Sequence, residues 1–145
     1  MVKKVHLGRV IVGGLIAGFV VNLGEVAVNV WLLGGAWTEV LAAMGLDFDV
    51  PALILWGSGT FVLGIVGVWI YAAISARYGP GPKTALRAGV AVWAAAFLVP
   101  SVGFLATRPF PPGLVVSTLL TGLVEVCLGV YLGSWLYREG ELAEA

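Results

Sequence analysis

Residues 10–33 read VIVGGLIAGFVVNLGEVAVNVWLL, an apolar run interrupted by one ionisable side chain, Glu25. A helix that crosses the hydrocarbon core of a bilayer needs about 20 predominantly apolar residues, so this run is long enough to span, with room to tilt. A secretory leader has an apolar region of only about 7–15 residues and ends in a small-residue cleavage site. Residues 10–33 exceed that length, no such site follows, and further apolar runs come after. The reading is a retained first spanning helix.

Three more runs meet the same length criterion, at 51–76, 85–105 and 113–137. Across all 145 residues, 60% are hydrophobic and 11% are charged, against about 25% charged in soluble domains. The composition excludes an ordinary soluble domain. The expected fold is all-α, a four-helix transmembrane bundle forming a single membrane domain over residues 1–145. Its breaks are marked by Gly34 and Gly35, by Pro51 in a first turn, by Gly79, Pro80, Gly81 and Pro82, and by Pro109, Pro111 and Pro112. Thr84 is a candidate N-cap for the third helix.

Orientation follows from where the basic residues fall, because short cytoplasmic loops carry an excess of Lys and Arg. Lys3, Lys4, Arg9, Arg77, Lys83, Arg87 and Arg138 fall on one side of the spans and Arg108 on the other. Both termini are therefore expected in the cytoplasm, with the protein multi-pass in the cell's inner (plasma) membrane. Trp69, Tyr71, Tyr78, Trp135 and Tyr137 form an aromatic belt near the inner surface, while Glu39, Asp47 and Asp49 lie in the opposite loop without a basic residue. In that loop, 34–50, Trp37, Val40, Leu41 and Met44 recur at helical spacing with Gly45 after them, which predicts a short outer interfacial helix between helices 1 and 2. It would pack on the outer helix ends as a lid or offer a docking surface to a partner.

Inside the first helix, Gly14, Gly18, Asn22, Glu25 and Asn29 are spaced by four, four, three and four. At about 100° per residue they fall within roughly 80° of one another. Gly14 and Gly18 make a GxxxG pair that lets another backbone approach closely, and the polar members must point into protein or water rather than lipid. In the fourth helix Ser117, Thr121, Glu125 and Gly129 recur every four residues as a second, more drifting stripe. From the rise of about 1.5 Å per residue, Glu25 lies roughly 12 Å and Glu125 roughly 18 Å from the outer ends of their helices. Their depths allow them to meet. Two carboxyls in such a site do not both ionise cheaply, so at least one is expected to hold a proton and donate it to Asn22, Asn29, Thr121 or the other carboxyl.

Gly57, Thr60, Gly64, Gly67, Tyr71 and Ser75 share one face of the second helix, a close-packing surface without charge. The third helix carries Ala88, Ala91, Ala95 and Ala96, and Pro100 frees the carbonyl of Ala96, predicting a kink.

Several chemistries are not supported. Gly79-Pro80-Gly81-Pro82-Lys83-Thr84 ends like a phosphate-binding loop, yet Pro82 stands where the glycine before Lys is required. No nucleotide is expected, and a formal net charge of zero offers nothing to nucleic acid. His6, the one histidine, lies outside the first span, and Cys127 is the one cysteine, so no catalytic site, metal site or cofactor is expected. Ser58, Ser117 and Ser134 have no histidine base at helix depth, which argues against a hydrolase.

Tyr71-Ala72-Ala73-Ile74-Ser75-Ala76-Arg77-Tyr78-Gly79-Pro80-Gly81-Pro82-Lys83-Thr84-Ala85 resembles a segment of uncharacterised small bacterial four-helix integral membrane proteins. That resemblance extends over most of the chain and implies the fold but no activity. Glu25 in the first of four spans is similar to the glutamate of small multidrug resistance transporters, which are shorter and do not imply a carboxyl at Glu125. Asn22 and Glu25 fit the end of the Arg-x-x-x-Asn-x-x-Glu run of membrane-associated eicosanoid and glutathione proteins, but Gly18 and Phe19 stand where basic residues should be. The expected function is non-enzymatic: a subunit, accessory or self-assembling membrane component whose partners are the lipid bilayer and other membrane subunits or copies of itself. The alternative is a small proton-coupled transporter or channel, formed by an oligomer and using Glu25 and Glu125.

Overall fold

The computed structural model describes residues 5–47 and 49–143. Lys3 and Lys4, which enter the orientation argument, lie outside the described residues. Helices α1 (Leu7–Glu25), α2 (Gly34–Ala43), α3 (Val50–Tyr78), α4 (Pro82–Trp93), α5 (Val99–Thr107) and α6 (Pro112–Ala143) follow one another, with no strand among the described residues. A wide π-helical stretch, Val26–Leu32, continues α1, and a second, Ala94–Leu98, joins α4 to α5. Four continuous helices result that are long and apolar enough to cross a membrane: Leu7–Leu32, Val50–Tyr78, Pro82–Thr107 and Pro112–Arg138.

The turns follow from local chemistry. Gly79 and Gly81 take φ of 77° and 143°, values an L side chain rarely adopts, and Pro82 opens α4 in its first turn. Thr84 is not the N-cap expected for this helix. The helix begins earlier, at Pro82 after Gly81, so Thr84 sits inside it and donates its hydroxyl to the Gly79 carbonyl at 2.7 Å. Gly34 and Gly35, expected to close the first helix, instead open α2, because the break falls at Leu33. Gly45, at φ 68°, terminates α2 with Leu46 N–H bonded to the Leu41 carbonyl at 2.9 Å. Asp49 then caps α3, its Oδ1 accepting from Ala52 N–H at 2.8 Å.

The disruption expected at Pro100 takes the form of the π-helical stretch Ala94–Leu98 immediately before it. A wide turn changes which carbonyl faces the proline ring and accommodates the missing N–H. In Val26–Leu32, Leu33 N–H reaches back five residues to the Val28 carbonyl at 2.7 Å.

α1 packs along both α3 and α6, α4 packs against α6 and α3, and α3 meets α6 across the middle. The buried core is built mainly from short side chains: Val10, Ala17 and Val21 of α1 meet Val68 and Ala72 of α3, Ala85 and Ala88 of α4, and Val126 and Val130 of α6. Lipid tails are as apolar as Leu, so helices in a bilayer associate through close packing and hydrogen bonds rather than by escaping water. Small core residues supply that closeness. Each end is closed by aromatics in edge-to-face contact, Tyr71 on Tyr137 at one end and Trp37 and Phe104 on Phe110 at the other.

Candidate functional site

The polar stripe of α1 is divided between two neighbours. Gly14 and Gly18 face α3, where an added Cβ would run into the backbone of Ile65 and Phe61 respectively, and Gly64 lies reciprocally against the Gly14 and Gly18 backbone. Each four-residue step along α1 is matched by a four-residue step in the opposite direction along α3, as antiparallel helices require. The next step brings Asn22 to Gly57. The Asn22 amide donates to the carbonyls of Gly18 and Gly57, each at 3.2 Å, and to the Thr60 hydroxyl, which itself donates to the Gly57 carbonyl at 2.7 Å. This seam is dense and its polar groups are paired. Gly67, one turn from Gly64, faces α6 instead, against Val130.

The other face of α1 meets α6. Gly13 and Gly133 lie carbonyl against Cα, so that a Cβ on either would strike the other's backbone, and Gly129 lies under the Ala17 carbonyl. Farther along, the Glu125 side chain lies across Gly24, where a Cβ would come 2.5 Å from Glu125 Cγ. Only a glycine there lets Glu125 reach the Glu25 carboxyl. Both glutamates are 8% exposed, and the two carboxyls interact directly.

Their surroundings differ. Glu25 Oε2 accepts from Asn29 Nδ2 at 2.6 Å, and the Trp56 indole of α3 also donates to the Glu25 carboxyl. Asn29 is held in turn by Trp37 Nε1 of α2, at 2.9 Å from its Oδ1. Glu125 Oε1 and Oε2 are buried with no hydrogen-bond donor among the described residues. Neither Asn22 nor Thr121 is bonded to either carboxyl. Asn22 is taken up by α3, and the Thr121 hydroxyl donates within its own helix to the Ser117 and Thr118 carbonyls at 3.0 and 3.3 Å.

Ser117 stands apart from the pair, on the rim of a hollow of about 460 Å³ between α2 and the start of α6 that Glu39 and Leu33 also line. The reason is geometric: a four-residue step rotates about 40° beyond a full turn, so two steps from Glu125 turn Ser117 about 80° away toward α2.

Four residues of this site escape a reading of the stripes alone. Gly13 and Gly24 lie beside the α1 stripe, and Gly133 completes with Gly129 a GxxxG pair in α6 that the sequence displays. Trp37 is a donor only because α2 folds back over the end of α1, which no local pattern reports. No group of three or more His, Cys, Asp or Glu side chains suited to a metal occurs among the described residues. Cys127 is partly buried, its Cα against Gly89 of α4.

The four apolar helices define the class of the chain, a multi-pass helical membrane protein. No protein-family model matches the chain, and no curated protein or solved structure matches it significantly.

Proposed function

We propose that this protein is a non-enzymatic component of a bacterial inner (plasma) membrane, acting as a subunit, accessory or self-assembling element. One observation carries the reading: the polar side chains of the first spanning helix bind helix to helix, Asn22 to α3 and Glu25 to α6 through Glu125. Such groups are expensive in hydrocarbon, and here they serve association. Gentle detergent extraction at native expression, followed by mass measurement of the intact particle, tests the reading. A particle holding several copies or other membrane chains supports it; a lone monomer without any bound molecule counts against it.

Both termini lie in the cytoplasm in this proposal. Arg9, Arg77, Lys83, Arg87 and Arg138 gather at one end of the bundle, where the Arg87 guanidinium stands 4.6 Å from the Tyr78 ring centroid, and this bias supports the orientation. α2 then lies at the outer surface, its Trp37 packed on Phe110. A cysteine probe at Thr38 is expected to label from outside and one at Lys83 is not; the reverse pattern would overturn the orientation.

A second reading, a small proton-coupled transporter or channel formed by an oligomer, is favoured by the buried Glu125 oxygens, which receive no donor among the described residues. Glu25→Gln separates the two. A component held by the pair keeps its assembly with this near-isosteric change, whereas a proton carrier keeps its fold and loses pH-dependent flux in reconstituted vesicles. Unchanged flux would sink the transporter reading.

A further inference from the structure

The two carboxyls of the pair are unequally supplied with hydrogen-bond donors, and the inequality assigns them different states. Glu25 receives donors from Asn29 and from Trp56, which suits a group acting as acceptor. Glu125 receives none among the described residues, although both its oxygens are buried and its side chain is pinned across Gly24. A carboxylate without donors, solvent or a countercharge is the costliest state a buried acid can take, and burial of a polar group is tolerated only when it is hydrogen-bonded.

Among the described residues no basic side chain acts on either carboxyl. On α1 the nearest basic residue toward the inner end is Arg9, 16 positions from Glu25 and so roughly 24 Å along the axis. From α3 the pair is faced by the neutral Trp56, and on α6 the other titratable side chain near Glu125, Cys127, packs on Gly89 of α4 instead. Two carboxylates face to face have no hydrogen between them. One proton turns that contact into a hydrogen bond.

We infer that the Glu25–Glu125 pair is a binding site for a single proton, carried on Glu125 and donated to Glu25. The inference rests on the membrane reading above and holds whether the pair is glue or part of a proton path. The asymmetry has a built-in support: Trp37 of α2 holds Asn29, Asn29 holds Glu25 as acceptor, and Glu25 leaves Glu125 as the only place for the proton. The indole and the amide orient the pair without relaying a proton, because each offers N–H groups that are not exchanged along a chain.

The test is infrared spectroscopy of the purified protein in lipid at neutral pH, reading the carbonyl stretch of protonated carboxylic acid and its shift in D₂O. The expected result is one such band, lost in Glu125→Gln and retained at a shifted frequency in Glu25→Gln, where Glu125 donates to an amide oxygen in place of a carboxylate. Absence of the band from the unaltered protein overturns the inference. So does its loss in Glu25→Gln with retention in Glu125→Gln, or two bands that disappear separately. Failure of the membrane reading shows itself elsewhere, as recovery of the chain from the aqueous phase on detergent phase separation, and leaves the band count readable.

Discussion

The two faces of α1 use the same device, glycine at the crossing, and then diverge. Toward α3 the glycines lead to Asn22, whose amide is bonded to Gly57 and Thr60, so that seam ends in a satisfied neutral network. Toward α6 they lead to Gly24 and Glu125, so that seam ends in an acid whose oxygens lack donors among the described residues. The first face is a fastener. The second is a fastener built around an ionisable group.

Breaking the closest crossing should have the largest effect. Gly14→Leu drives a side chain into the Ile65 backbone, and since neither helix can yield locally the expected loss is about 3 kcal/mol or more, seen as collapse of the thermal transition in detergent. Gly59→Leu is the control: a Cβ there meets nothing within 4 Å, and stability should be unchanged. Asn22→Leu comes next. It removes the bonds to Gly57 and Thr60 and should cost about 1 kcal/mol, the scale of interhelical hydrogen bonds in membranes, while leaving the carboxyl infrared band untouched. A change in that band would show that the two faces are not independent.

Trp37→Phe should have the smallest effect. Phenylalanine keeps the ring contact with Phe110 and loses only the bond to Asn29, so about 0.5 kcal/mol is expected in the same thermal assay. This substitution also shifts the carboxyl band, because Asn29 is freed to turn away from Glu25. An unshifted band would remove Trp37 from the support of the pair.

How much of this was legible in the sequence depends on the range of the physics involved. Helix number and the turn at Gly79–Pro82 are local: a bilayer demands a fixed run of apolar residues, and Gly and Pro mark where it ends. The closeness of Glu25 and Glu125 follows from depth arithmetic on two antiparallel helices. Ser117 and Thr121 do not follow them, since the stripe rotates with each step and a side chain in a helix readily bonds its own backbone, as Thr121 does. Thr84 misleads for a similar reason, its hydroxyl serving Gly79 rather than the first amides of α4. The division of one stripe between two neighbours, and the role of Trp37, depend on where other helices lie. Sequence periodicity describes one helix at a time and carries no record of that.

The central claim is that Glu25 and Glu125 act as one unit, and a double-mutant cycle measures it directly. Stability of the unaltered protein, Glu25→Gln, Glu125→Gln and the double variant would be compared in one detergent. The account predicts a coupling energy clearly above the roughly 0.5 kcal/mol within which independent sites add. Additive effects within that margin would contradict it.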